Sequence, residues 1–194
     1  MGRRRHRLTA ALVLALAALS SGLPAATLSE PIQTVSAYLT ALARFDHREV
    51  ARIAHLEGAA GERSRQMREF ERATHTTWTW RIVGVDDQTA HVLMTEDSDY
   101  YRLLGVGVRT QIVAYRVAAG FIVSSDIKFL TNQHGPARVA AEHFRNWLRM
   151  QNGGDDPAIL EDGELKFDAG SASRMLPWLR QWVKRGRPTP PPAV

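Results

Sequence analysis

The feature that most constrains the fold is a change in the spacing of apolar residues near Thr76. Over residues 32–42 the apolar side chains recur every three or four positions, which is the period of a helix with one buried face. Over residues 78–82 they alternate with polar ones, which is the period of a strand. Helices followed by a run of strands predict an α+β domain with an antiparallel sheet.

Capping and turn residues predict where the elements begin and end. Pro31 suits the first position of a helix, and Asp46, three residues before Glu49, resembles a capping box. We expect residues 58–61 (GAAG) to form a flexible joint and the charged helix after them to lie on the outside. The expected helices are residues 31–45, 46–57, 62–73, 137–150 and 171–184, and the expected strands are residues 76–85, 89–96, 109–117 and 121–130.

The first 26 residues have the three zones of a secretory signal peptide. Four arginines lie within residues 1–7, an apolar run of about 12 residues follows, and small residues dominate positions 20–26. A membrane-spanning helix needs about 20 apolar residues, so this run is short for an anchor. We therefore predict cleavage between Gly22 and Ala26 and export to the periplasm or the exterior. The alternative is an uncleaved leader, which would be the protein's only attachment to a membrane.

Composition narrows the classes of partner and site. The leader contains four of the 25 Lys and Arg residues and none of the 20 acidic ones, which leaves 21 basic against 20 acidic residues in the mature chain. Nucleic-acid binders keep a concentrated basic surface, so no nucleic-acid partner is expected. The chain has no cysteine, which excludes disulfides, thiol catalysis and Cys-based zinc sites.

These patterns divide the chain into four segments. A signal peptide is expected over residues 1–26 and the α+β domain over residues 27–130. A helical C-terminal extension, residues 131–186, should pack on that domain. Residues 187–194 (RPTPPPAV) are expected to form a disordered, proline-rich tail.

Residues 37–46 (AYLTALARFD), followed by residues 49–53, resemble the opening of the NTF2-like superfamily, including its SnoaL-like branch. The order of the strands and the hairpin at residues 115–120 extend the resemblance over about 100 positions, residues 31–130. The resemblance implies a curved sheet wrapped round a long helix, forming a cone with a pocket. The superfamily includes isomerases, dehydratases, cyclases and non-catalytic binding or assembly domains, so the fold alone assigns no function.

One activity of the superfamily can be compared residue by residue. In its ketosteroid isomerases a first-helix tyrosine donates a hydrogen bond to an oxyanion, and Tyr38 matches that position. The same chemistry needs a carboxylate base and a second, protonated acid. Residues 58–62 (GAAGE) and Val113 stand at those two places, so ketosteroid isomerase chemistry is not implied.

A non-catalytic ligand-binding domain is the first functional hypothesis, with a small apolar ligand or a protein partner held in or on the cone. Trp78 and Trp80 share one face of a predicted strand. Such aromatic residues either belong to the core or line a ligand pocket, and the sequence leaves both possibilities open. A homodimer through the open sheet face is a further alternative. The residues expected to contact a ligand are Tyr38, Trp78, Trp80 and Tyr115.

The alternative hypothesis is a SnoaL-like enzyme of the isomerase, dehydratase or cyclase type acting on a hydrophobic substrate. His91 and Asp126 lie on two predicted strands and could form an acid/base pair, with Tyr38 as hydrogen-bond donor. The competing interpretation is that all three residues are structural. The enzyme hypothesis requires them to converge on one cavity.

Neither a metal nor a cofactor is expected. The seven histidines are scattered and show no paired metal-ligand spacing. The acidic run of residues 96–99 (EDSD) lacks the glycine and the distal glutamate of a calcium loop. We expect that run to be a solvated loop that caps a short helix over residues 100–104.

Overall fold

The computed structural model describes residues 29–130, 134–152 and 156–188. The expected signal peptide and residues 189–194 of the expected tail lie outside these ranges. Six helices are assigned in this part of the chain: α1 (Glu30–Ala43), α2 (His47–Ile53), α3 (Gly58–Ala73), α4 (Asp99–Leu104), α5 (His134–Asn152) and α6 (Ala169–Lys184). Six strands are assigned: β1 (Thr77–Asp86), β2 (Thr89–Asp97), β3 (Arg109–Ala118), β4 (Phe121–Phe129), β5 (Leu160–Glu161) and β6 (Glu164–Leu165).

The first four strands form one antiparallel sheet in the order β1-β2-β3-β4, and β5 and β6 form a small separate hairpin. Side chains of β2 and β3 alternate between buried and half-buried positions, so one face of the sheet carries the core. Helix α1 packs on that inner face, against all four strands. The α+β class predicted from the sequence is confirmed.

The apolar stripe of α1 is buried as its spacing predicts. Val35 and Leu39 are fully buried and Leu42 nearly so, within an apolar cluster that also contains Val92 and Val113 of the sheet. Before α2, the carboxylate of Asp46 accepts a hydrogen bond from the backbone N–H of Glu49 at 3.1 Å. That contact confirms the predicted cap.

The C-terminal helices close a second apolar cluster, centred on Phe144, Trp147 and Trp182. It includes Phe70 of α3 and Tyr100 of α4, so these two helices pack with the C-terminal ones. The α6 helix starts at Ala169 and is capped by Asp168, whose carboxylate accepts from the N–H of Ser171 at 2.7 Å. None of the helices in the described ranges is long and apolar enough to cross a bilayer.

The prediction of a flexible joint at residues 58–61 is wrong. Those residues form the first turn of α3. Gly58 has a positive φ of 52°, and a Cβ on Gly61 would lie 2.9 Å from the carbonyl oxygen of Leu56. The two glycines therefore allow a turn and a close approach of the backbone.

The prediction that α3 lies outside is also only half right. Its charged residues form ion pairs on the solvent side, as Arg65 does with Glu62 and Glu69. Its other side buries Phe70 and Glu71. A helix of mixed polarity can be partly buried when its buried charges have partners, and α3, which packs against α2 and α6, pairs Arg68 with Glu71.

Candidate functional site

A cavity of about 380 Å³ lies between α1, α3 and the inner face of the sheet. Small-molecule sites in proteins have volumes of about 300–1,000 Å³ and apolar walls with few polar groups. This cavity is lined by both apolar and polar side chains. Its main side chains are Tyr38, Arg68, Glu71, Trp78, Glu96 and Tyr115.

Aromatic rings form one wall of the cavity. The rings of Tyr38 and Tyr115 lie 5.5 Å apart at an angle of 57°, and the Tyr115 hydroxyl donates to the sulfur of Met94 at 3.2 Å. Trp78 also lines the cavity. Trp80 packs against the apolar cluster of the sheet and is not among the lining residues, so three of the four expected ligand-contacting residues meet here.

Two glutamates and two arginines form a buried ionic cluster beside that wall. Arg68 and Glu71, three residues apart on α3, approach to 2.6 Å between Nη1 and Oε2. Glu96 of β2 and Arg109 of β3 stand directly opposite in the sheet register, and the Nη1 of Arg109 donates to Oε2 of Glu96 at 3.1 Å. Glu71, Glu96 and Arg109 are 5 %, 7 % and 8 % exposed.

Burial shifts the proton affinity of both carboxyl groups. Desolvation raises the pKa of Glu71 to about 7, against the opposing charge of Arg68 and with the added repulsion of Glu96. Desolvation likewise raises the pKa of Glu96 to about 7, opposed by Arg109 and then Arg68. Near neutral pH each carboxyl is therefore present in both protonated and ionised forms.

Tyrosine hydroxyl groups complete the polar lining. Burial raises the pKa of Tyr38 above its usual value, with Arg68 lowering it and Glu71 raising it. Burial, followed by the charge of Glu96, raises the pKa of Tyr101 to about 12. Both hydroxyls remain protonated at neutral pH and can donate hydrogen bonds.

Arg109 binds Glu96 and packs against two aromatic rings. Its guanidinium carbon lies 4.3 Å from the ring centre of Tyr101 and 5.0 Å from that of Phe129. Such stacking holds a planar cation in place while its N–H groups reach Glu96. Arg109 is therefore held by two rings while it binds the Glu96 carboxyl.

Several polar atoms of the cluster have no hydrogen-bond partner among the described residues. They are closed off from solvent. Arg68 nevertheless forms an ion pair with Glu71 at 2.6 Å, and both Trp78 and Arg68 lie close enough to the Glu71 carboxyl to lower its pKa. These contacts are therefore close but poorly aligned for hydrogen bonding. The atoms are Nε and Nη1 of Arg68, Oε2 of Glu71, Nε1 of Trp78 and Nε of Arg109.

The structure does not bring the proposed acid/base set together. His91 lies on the side of β2 opposite to the buried Ala90, Val92 and Met94, and Asp126 is exposed on β4. The register places both across from Ala114 on the outer face of the sheet. Tyr38 lies on the inner side, so the convergence that this set requires is absent.

The buried carboxyls were missed because each looked like part of a charged segment. Glu96 ends the strand predicted over residues 89–96 and also begins the run 96–99 that is predicted to be a solvated loop. The strand is confirmed, and the loop is wrong for Glu96, which continues the buried alternation of β2 after Ala90, Val92 and Met94. Only the end of the run caps the short helix, where Ser98 Oγ accepts from the N–H of Tyr101. The signal that could have found the burial of Glu96 is the period of two within the predicted strand, which puts it on the same face as Val92 and Met94.

A second cavity, of about 520 Å³, lies between α4, α5 and the β5–β6 hairpin. It shares Tyr101 and Phe167 with the first cavity and is lined by Arg109, Arg138 and Arg145. Arg145 forms an ion pair with Glu164. We take the smaller cavity as the candidate site because it holds the aromatic wall and both carboxyls with raised pKa values.

Among the described residues, no group of three or more His, Cys, Asp or Glu side chains is arranged to hold a metal ion. Comparison of the chain with protein-family models, with curated proteins and with solved structures found no match.

Proposed function

We propose that this protein is an exported, NTF2-like domain that binds a small, largely apolar molecule with a hydrogen-bonding group in the cavity under α1. The observation that carries the proposal is the cavity of about 380 Å³ in which an aromatic wall faces a buried, incompletely paired ionic cluster. Apolar walls supply affinity, and a few fixed polar groups orient the ligand. Export rests on the three zones of the leader.

The lining favours a ligand whose polar group accepts hydrogen bonds. Two residues that line the cavity, Arg68 and Trp78, carry buried N–H groups without a well-aligned hydrogen bond, and the hydroxyl of Tyr38 is a further donor in the lining. A modest shift of these side chains on binding would bring donors to a carbonyl or hydroxyl oxygen. The aromatic rings would then cover the apolar body of the ligand.

Binding can be tested with 2-naphthol, which has a bicyclic apolar body and one hydroxyl, using isothermal titration calorimetry. Ser125 lies on the edge strand β4 and lines the cavity. Its neighbour Ser124 is opposite Arg116 in the register and lies on the other face of the sheet. We expect saturable binding that Ser125→Trp abolishes and Ser124→Trp preserves. Absence of binding, or equal loss in both variants, would refute a ligand site in this cavity.

A second candidate function is acid/base catalysis, and one observation favours it. Glu71 and Glu96 line the same cavity, both have pKa values near 7, and Arg68 acts electrostatically on both. A carboxyl that is half protonated at working pH can take up or release a proton with little cost. In this form of the hypothesis Glu71 and Glu96 replace His91 and Asp126, with Tyr38 as donor.

The catalytic candidate predicts proton exchange on a ketone that fits the cavity. We would follow exchange of the hydrogens next to the carbonyl of 2-tetralone in deuterated buffer by nuclear magnetic resonance. Exchange above the buffer rate that is lost in Glu71→Gln and Glu96→Gln, but kept in the matched surface variant Glu161→Gln, would support an enzyme. Exchange equal to the buffer rate would leave ligand binding as the function.

A further inference from the structure

The edge strand β4 (Phe121–Phe129) is unusually open for a strand that ends a sheet. Within residues 29–130, 134–152 and 156–188 it pairs with β3 alone, and six consecutive residues, 123–128, are exposed. Apolar side chains are exposed on this strand, with Val123 at 55 % and Ile127 at 48 % exposure. An uncovered edge of this length offers a free row of backbone N–H and C=O groups for pairing.

Charges on this strand are arranged so that it complements itself. Asp126 and Lys128 lie on the outer face of the sheet, two positions apart, opposite Ala114 and Ile112 of β3. Both are exposed, and neither has an ion-pair partner among the residues that the structure describes. Only Ile127 stands between them.

Antiparallel pairing of two copies of β4 about Ile127 would place Asp126 of each copy opposite Lys128 of the other. Shifting the centre of pairing to Asp126 or Lys128 would oppose like charges instead. Opposite charges that face each other across two strands stabilise pairing, and like charges oppose it. The charge pattern therefore selects one register.

The same register also gives compatible side-chain pairs on the inner face of the sheet. Because side chains alternate, Ile127 would meet Ile127 of the second copy, while Ser125 would meet Phe129. Two-fold symmetry gives identical contacts on both sides of the axis, which is the commonest form of protein dimer. The two four-stranded sheets would become one continuous eight-stranded sheet.

We propose that this protein forms a symmetric dimer by antiparallel pairing of β4 with β4 of a second copy, in the register centred on Ile127. This partner differs from the sheet-face dimer considered from the sequence, because the contact is made by the strand edge. An edge contact buries little area, so the dimer is weak and depends on concentration. The inference rests on the strand edge and its charges rather than on the ligand, although Ser125 and Ile127 also line the candidate cavity.

The test is a charge exchange measured by sedimentation velocity over a range of protein concentrations. Asp126→Lys sets Lys against Lys in both symmetric pairs, and Lys128→Asp sets Asp against Asp. Each single variant should weaken the dimer at least about fivefold, whereas the double variant Asp126→Lys with Lys128→Asp restores opposite pairs and should recover it. Arg81→Glu, a charge reversal on the other edge strand, is the matched control and should leave dimerisation unchanged.

The outcomes separate cleanly. A monomer at all concentrations overturns the proposal, and so does a dimer that neither single reversal weakens. A dimer that Arg81→Glu disrupts, but the β4 variants do not, places the contact elsewhere on the sheet. All these residues are exposed, so circular dichroism should show an unchanged fold in every variant.

Discussion

Replacing Glu71 by glutamine should flatten the pH dependence of the stability of this protein. Glu71 is 5 % exposed, and its pKa is raised from 4.5 to about 7, chiefly by burial. Because its pKa in the folded state lies above that of the unfolded chain, the folded state keeps the proton to a higher pH. Unfolding above pH 4.5 therefore releases a proton, and the free energy of unfolding falls as pH rises to about 7.

The size of the effect follows from the pKa difference. A rise from 4.5 to about 7 corresponds to about 3 kcal/mol of stability lost between pH 5 and pH 8. Glu96 adds a similar pH dependence of its own, which the Glu71→Gln variant keeps. Between pH 5 and pH 8 the free energy of unfolding should therefore fall less in the variant than in the unmodified protein, by an amount on the order of 3 kcal/mol.

Urea unfolding at pH 5, 6.5 and 8, followed by tryptophan fluorescence, measures this difference. The comparison is between slopes with pH, because Glu71→Gln also removes the carboxylate that Arg68 approaches at 2.6 Å and so changes the absolute stability. Glu161→Gln removes an exposed carboxyl that is not part of the cluster and should keep the slope of the unmodified protein. If Glu71→Gln and Glu161→Gln show the same slope, Glu71 is not the buried, raised-pKa group described here.

Two further predictions concern the second apolar cluster and the leader. Phe144→Ala should lower the free energy of unfolding by about 3–5 kcal/mol, because Phe144 is fully buried. Val139→Ala, at a 42 % exposed position of the same helix, should change that free energy by less than about 0.5 kcal/mol. Similar losses in the two variants would contradict the packing of α5. For the leader, mass spectrometry of protein recovered outside the cytoplasm should give a first residue just after a cut between Gly22 and Ala26, and an intact mass on membranes would favour the anchor.

The parts of the fold that follow from local pattern were predictable. The period of α1, the alternation in the strands and the Asp46 cap are each encoded within a few neighbouring residues, and each is confirmed. Boundaries were less exact, since β2 runs to Asp97 and α5 begins at His134. The glycines at residues 58–61 misled because a glycine that permits close packing looks the same in sequence as one that permits motion.

The candidate site was only partly predictable. Tyr38, Trp78 and Tyr115 share the cavity. Their inward positions were predictable, because the periods of the helix and the strands show which residues face the core. His91 has the same alternation but points outward, since one position decides the face of a strand. Glu71 was hidden in a helix of mixed charge, and it is buried beside Tyr38, Trp78 and Glu96, which come from other elements of the fold.

The α+β class, the apolar stripe of α1 and the strand faces follow from the spacing of neighbouring side chains, so they can be derived from the sequence. The meeting of Arg68 and Glu71 of a charged helix with Glu96 and Arg109 of two strands depends on how distant segments pack together. Ionisable groups acquire unusual proton affinities through burial and through neighbours distant in the chain, and neither can be counted along a sequence. The same holds for the open edge of β4, which exists only because no other part of the described chain pairs with it.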